Sequence, residues 1–460
     1  MKKTIIISLI LAMLLCACGA QEPHWAGYSG SLDGYEYCYS SERDRMWEED
    51  ILFYANTFLT EHPLLADDDF RNLVMQVRPE SKEYEYVYDY SKSAYSEAAR
   101  EEFLAQINRL IPEIGEYTDT EIIYELGRVT ASLGDAHSAV DVGFRDNFPL
   151  QFAWLSNGTG MGIYPVGVSG AYEELLLQKL IAINDVPIED IAERLSAYIS
   201  HENGEWVMWK LANPHSVGFL TQRAALEIIG VMEPDDSNAV FTFETENGDG
   251  KYTIGCLSAQ EYEQTPMITR TAPMWRDEEY YWYELLDQGG SLYVRFQKME
   301  EEPECSMSLF VAEVRKELRN APEPMRIIFD LRDNTGGYSF MAEMNSLISA
   351  VNQSRTDGVY VLINEGTFSA GVQTAYRLAN GIEGAKLVGS PTGQFVNHFS
   401  TPVVFTLPNH GYPFCVSSVF LYGAREESGT ALCPDVLVYQ TVDDYKNQID
   451  TVLEYVLGLE

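Results

Sequence analysis

Two stretches of the chain carry residue types suited to acyl-transfer chemistry. The first, Ile327-Ile328-Phe329-Asp330-Leu331-Arg332-Asp333-Asn334-Thr335-Gly336-Gly337, is an apolar run that ends in charged and amide side chains and a glycine pair. Glycines in such a turn free backbone N–H groups to point at a ligand oxygen. The second apolar run, Val359-Tyr360-Val361-Leu362-Ile363-Asn364, delivers Glu365-Gly366-Thr367-Phe368-Ser369-Ala370-Gly371 at the start of a helix. A hydroxyl placed there is held by the turn, and neighbouring N–H groups together with the helix dipole favour a developing oxyanion. An isolated Gly-Gly reads as a plain strand-to-helix turn. The two segments together point to a serine nucleophile, Ser369.

Jointly these motifs resemble the tail-specific, or C-terminal processing, family of serine peptidases, with its Asp-Leu-Arg-x-Asn-x-Gly-Gly strand and turn and its Thr/Ser-x-Ser-Ala nucleophile turn. The resemblance extends over most of the chain. Lys179–Ile188 is similar to the carboxylate-binding part of that family's PDZ-like module, Gly389-Ser390-Pro391-Thr392-Gly393 to its post-nucleophile loop, and Pro434-Asp435 to its terminal strand. It implies a crotonase-like α/β catalytic domain, extracytoplasmic hydrolysis of peptide bonds in peptide or protein substrates, and no cofactor. By position, Ser369 would be the nucleophile, and the N–H groups of Gly336 or Gly337 and of Ala370 would form the oxyanion hole. Many members place a lysine base just after the Pro-Thr of the post-nucleophile loop. This chain has Gly393-Gln394-Phe395 there, and glutamine cannot accept a proton at neutral pH.

A serine without a base is a poor nucleophile. His137, in Leu133-Gly134-Asp135-Ala136-His137-Ser138, resembles the Asp-x-His of the tricorn-like branch, and its pKa class suits the task. His398, in Asn397-His398-Phe399, is the second candidate base, because the post-nucleophile loop must pass close to the nucleophile. Glu426 or Glu427 could orient the base. A histidine base would make the rate rise with pH through about 6–7 and then level off. Loss of the lysine leaves a rival reading open, a degenerate member that binds peptides without cleaving them.

The elements that must position these residues alternate beyond Tyr280: Leu292–Phe296, Met307–Asn320, Met325–Leu331, Phe340–Val351, Val359–Ile363, Ser369–Ala379 and Ala385–Val388 read strand, helix, strand, helix. This predicts an α/β domain over residues 280–460 with a largely parallel sheet. Residues 148–257 show short strands separated by turns and one helix over Ile188–Tyr198, which fits a β-rich, PDZ-like module. Its Val166–Gly170 segment is expected to offer backbone donors to a peptide carboxylate by strand addition. Residues 41–147 carry apolar side chains at helical spacing, as in Trp47, Ile51, Leu52, Phe58 and Leu59. Within them the acidic, tyrosine-rich Glu83–Tyr90 reads as a solvated loop or short edge strand.

Composition bounds the rest. A chain of 460 residues with 46% hydrophobic content can bury a large core, which excludes disorder and fibre. Its net charge of −39 repels phosphate backbones and anionic headgroups, so nucleic acid is not an expected partner. Seven cysteines with no metal-ligand spacing support no metal site, although Cys415 and Cys433 could be bridged. Lys2 and Lys3 precede an apolar run to Leu15, an export signal, and Leu15-Cys16-Ala17-Cys18-Gly19 resembles a bacterial lipobox. The expectation is a signal peptide over residues 1–17, lipid on Cys18, a tether over 18–40, and attachment to the cell membrane from outside through the lipid anchor only. A solute-binding lipoprotein would share the anchor but needs two matched α/β lobes, and the sequence shows one.

Overall fold

A computed structural model of the protein describes residues 38–67, 72–78, 80–89, 92–142, 146–215, 218–246, 248–276, 278–423 and 429–459. Cys18, the export signal and the pair Glu426 and Glu427 lie outside the described residues. Among the described residues the fold is mixed α/β, with several helices and three sheets divided between two compact units.

The first unit comprises the chain up to Gly143, the segment Ala197–Glu202, and Val396–Thr430. Its long helix Glu42–Glu61 starts at Ser41, whose hydroxyl accepts from the Asp44 N–H. It buries Trp47, Ile51, Tyr54 and Phe58, residues three and four apart and therefore on one face. Helices Glu97–Leu110 and Asp119–Ala131 add Phe103, Ile107, Ile122, Ile123 and Leu126 to the same core. A capping box between Thr118 and Glu121 satisfies the start of the third helix.

The sheet of this unit runs in the order His398–Thr406, Pro413–Tyr422, Asn72–Val77, Tyr84–Tyr88, with Ala139–Val140 also paired to Pro413–Tyr422. The tyrosine-rich segment is thus an edge strand, one of the two readings its sequence left open. Phe414 brings the hairpin onto the helices: its ring lies 5.4 Å from that of Tyr54 and 6.1 Å from that of Phe58.

The second unit holds two sheets. Strands Leu150–Ser156, Met161–Ser169, Lys179–Ile183, Val186–Pro187, Asn238–Thr245, Gly248–Gly255 and Met267–Thr269 form the first, antiparallel throughout. Helix Ile188–Ser196 lies among them, where the sequence predicts one. Met267–Thr269 pairs with Gly167–Ser169, and Leu150 and Gln151 pair with the same stretch from the other side. The backbone expected to receive a peptide end is therefore already paired along both edges, filled by a strand of the chain itself.

The second sheet is ordered Tyr281–Leu286, Ser291–Phe296, Met325–Asp330, Thr356–Ile363, Lys386–Gly389, Val436–Leu437. All its neighbours are parallel except the first pair. Met325–Asp330 is buried at every residue, as a central parallel strand covered on both faces must be. Helices Met307–Asn320, Met341–Gln353 and Ala370–Gly381 make the crossovers. Among the described residues no helix is long and apolar enough to cross a membrane.

Candidate active site

Both turns singled out in the sequence leave the carboxyl ends of neighbouring parallel strands, where loops of open α/β sheets gather ligands. Asp330 closes its strand fully buried. Its carboxylate takes Arg295 at 2.7 Å, the Arg332 guanidinium at 2.5 Å and the Tyr293 hydroxyl at 2.6 Å. Burial alone would raise its pKa, but the two arginines hold it well below the usual carboxylate range. Arg332 reaches on to Asp450, at 2.6 and 2.8 Å. This polar knot anchors the chain as it turns out of the sheet.

The turn is then tied to its neighbour. Asn334 donates from Nδ2 to the Phe296 carbonyl at 2.7 Å and accepts the Phe368 N–H on its own carbonyl at 2.9 Å. Thr367 donates from Oγ1 to the Leu331 carbonyl at 2.8 Å, and Asp333 N–H donates to Asn364 Oδ1 at 2.8 Å. Gly336 sits against the nucleophile turn: a Cβ there would lie 2.6 Å from Ser369 Cβ and 2.9 Å from Ala370 N. Gly337, at φ +130°, is excluded from bearing a side chain by the Met299 carbonyl, 2.1 Å from the Cβ position.

Ser369 immediately precedes helix Ala370–Gly381 and has φ 53° and ψ −124°, a conformation that a residue with a side chain seldom adopts. Holding it there costs on the order of 1–3 kcal/mol, which the surrounding bonds must offset. Its N–H donates to Gln394 Oε1 at 2.8 Å. The Gly336 N–H donates to Asn334 Oδ1 at 2.9 Å, so of the two glycines considered for the oxyanion hole Gly336 has spent its donor inside the turn. Among the described residues, no hydrogen bond engages the N–H of Gly337 or Ala370.

The two candidate bases come together in the first unit. His137 and His398 are both buried, with ring centroids 5.6 Å apart and planes 17° from parallel. The Cys415 thiol donates to the His137 carbonyl at 3.1 Å and the Ser417 N–H to Ser138 Oγ at 2.9 Å, which seats the Asp-x-His segment on strand Pro413–Tyr422. Cys415 thus spends its proton on a carbonyl rather than entering a disulfide with Cys433. Burial pushes the His137 imidazole down to about 4, against the opposing pull of Asp135 and of a hydrogen bond to the Phe399 backbone. An ordinary histidine value of 6–7 therefore does not describe this ring.

Asp135 does not hold the ring of His137. Its Oδ1 accepts the His137 backbone N–H at 2.8 Å, while Oδ2 lies 3.0 Å from His62 Nε2 and accepts the Ser138 hydroxyl at 2.5 Å. His62 Nδ1 in turn accepts the Leu64 N–H at 3.2 Å, which assigns the ring proton to Nε2. His62, Asn334 and Asp450 are supporting residues that the sequence reading missed. The Asn334 position lay inside the glycine-turn motif and could have been weighed; His62 and Asp450 carry no local signal. Among the described residues no group of three or more histidines, cysteines, aspartates or glutamates is arranged to hold a metal ion.

No protein-family model matches the chain, and no curated protein sequence does. Similarity appears among solved structures. Mature CPAF complexed with lactacystin superposes with a TM-score of 0.56 at 10% identity, covering 90% of this chain and 97% of that one. Mature CPAF gives 0.54 at 10% identity over 90% and 96%. The photosystem II D1 C-terminal processing protease aligns over 90% of this chain and 98% of its own at 12% identity, with a TM-score of only 0.39. What the chain has in common with CPAF is the fold.

Proposed function

We propose that the protein is a serine peptidase that cuts peptide bonds in unfolded or C-terminal segments by acyl transfer, held outside the cell membrane by a lipid on Cys18. The observation that carries this reading is Ser369: a buried hydroxyl on a strained turn at a helix start, with a glycine turn against it. CPAF, whose fold the chain shares, has been solved in a mature form in complex with lactacystin. In this reading the parallel-sheet domain is crotonase-like, and residues 148–257 are a PDZ-like module whose peptide edge the chain's own strand fills.

Ser369 Oγ attacks the scissile carbonyl carbon, and its proton passes to a neutral imidazole. The Gly337 and Ala370 N–H groups receive the carbonyl oxygen as it becomes an anion. Collapse breaks the C–N bond, the imidazolium returns the proton to the leaving amine, and water then repeats the sequence on the acyl-enzyme. His137 is the first choice of base, with its ring hydrogen-bonded to the Phe399 backbone, and His398, beside it, is the second.

A serine-directed phosphonate probe should label Ser369 in the wild-type protein; failure to label it with any such probe would leave a peptide-binding protein without hydrolytic activity. His137→Ala and His398→Ala, assayed side by side, should separate the bases, the true one costing on the order of 10²–10⁴ in rate with binding little changed. The pH profile gives the sign. A base must be deprotonated, so with His137 held down to about 4 the rate should rise through that region and be flat across neutrality. A rise centred near 6–7 would point away from His137, and no loss in either variant would remove the Ser-His mechanism.

The anchor has its own test. A diacylglyceryl cysteine with an added acyl chain supplies the several hydrocarbon chains that durable attachment needs. Cys18→Ser should move the protein from the detergent phase into the medium, and retention of the variant in the membrane fraction would contradict lipidation.

A further inference from the structure

In the sequence Gln394 stands only as the residue found where relatives keep a lysine. Its surroundings give it work of its own. The side chain is fully buried and its amide oxygen accepts the Ser369 N–H at 2.8 Å. That N–H belongs to the residue with the unusual backbone of φ 53° and ψ −124°.

The loop that carries Gln394 is fastened from three sides. Thr392 exchanges two bonds with Leu432, N–H to carbonyl at 3.2 Å and Oγ1 from the Leu432 N–H at 3.0 Å. Asn203 Nδ2 donates to the Thr392 carbonyl at 2.9 Å, and the Gly393 N–H donates to the Thr367 carbonyl at 3.2 Å. Finally, Thr392 Oγ1 donates to the backbone carbonyl of Gln394 itself at 2.8 Å. The amide oxygen is therefore presented from a fixed loop rather than from a freely swinging side chain.

We propose that Gln394 is a positioning residue for the nucleophile: its amide oxygen pins the Ser369 N–H and so sets the direction in which the hydroxyl leaves the turn. A second consequence follows from the same bond. With its own N–H committed, Ser369 cannot donate to the oxyanion, and that duty falls to the next N–H along the chain, Ala370. The proposal rests on the reading of Ser369 as the nucleophile.

Gln394→Met keeps length and bulk but removes the acceptor, whereas Gln394→Glu keeps an acceptor in place. The Met variant should lose about 10²-fold in kcat and in the rate of phosphonate labelling at Ser369, as misplacement by an ångström does, with KM within about twofold. The Glu variant should recover most of that loss. A purely structural residue would instead lower the thermal transition of both variants and move KM and kcat together. If the Met variant does not fold, Gln394→Asn, which draws the oxygen back by one methylene, is judged by the same readings. Wild-type labelling rates in the Met variant, or equal losses in the Met and Glu variants, overturn the proposal while the nucleophile reading stands. Absence of labelling at Ser369 in the wild-type protein overturns both.

Discussion

Ser369→Ala is expected to reduce cleavage of casein or of a C-terminal peptide by on the order of 10⁴–10⁶-fold, the scale seen when an acyl-transfer nucleophile is removed. Stability should hardly change. Alanine keeps the N–H that Gln394 accepts and the Cβ that Gly336 accommodates, and it bears the same backbone strain at φ 53°. Only the hydroxyl is lost, so the stabilities of mutant and wild type should differ by no more than about 0.5–1.5 kcal/mol, the net contribution of one hydrogen bond. Equal cleavage by the two purified proteins would show that another group attacks the substrate. A large loss accompanied by a large drop in melting temperature would show instead that the hydroxyl serves the fold.

Asp330→Asn should do the opposite, with stability as the first casualty. The carboxylate is fully buried between two guanidinium groups and a phenol. Removing its charge deprives the buried Arg295 of its ion pair at 2.7 Å and leaves it only the more distant Asp333, while Arg332 still reaches Asp450. Breaking a buried pair in this way costs about 3–5 kcal/mol. Denaturant unfolding should show a lower midpoint at unchanged slope. Activity should fall as well, since the knot fixes the turn that presents Gly337. A variant within about 1 kcal/mol of wild type would mean that the ion pairs merely offset their own desolvation. The pH dependence has a definite sign. The folded-state pKa is depressed, so the stability this carboxylate contributes is complete above the unfolded value near 4 and is lost as pH falls below it.

The parallel sheet was the most legible part of the molecule. Its strands are short, apolar and separated by helical spacing, so local pattern and tertiary context agree. The expected Met307–Asn320 helix has the bounds found, and Met325–Leu331 differs by one residue. The placement of Ser369 and the glycine pair on turns that leave adjoining strands was legible for the same reason, because strand, turn and helix are consecutive in sequence. Pairings between distant segments were not. Nothing local in Pro413–Tyr422 shows that it pairs with Asn72–Val77, and nothing near Met267 shows that it fills the edge beside Val168. Side-chain partnerships across such distances, His62 with Asp135 or Arg332 with Asp450, were equally invisible.

The hairpin of the first unit also bears on the order in which the chain can assemble. Phe53, Tyr54 and Phe58 gather around Phe414, and the Asp-x-His segment is seated by Cys415 and Ser417, more than 270 residues after His137. A chain emerging from its N-terminus therefore holds its first helices without the aromatic ring they close around until nine-tenths of it has been made. Loop closure on that scale is slow, and helices waiting with exposed apolar faces are vulnerable to aggregation and to nicking. The histidine pair, with one ring on each side of the long separation, comes into register only when the hairpin docks. The timing of synthesis thereby keeps a half-made chain from carrying a finished pair.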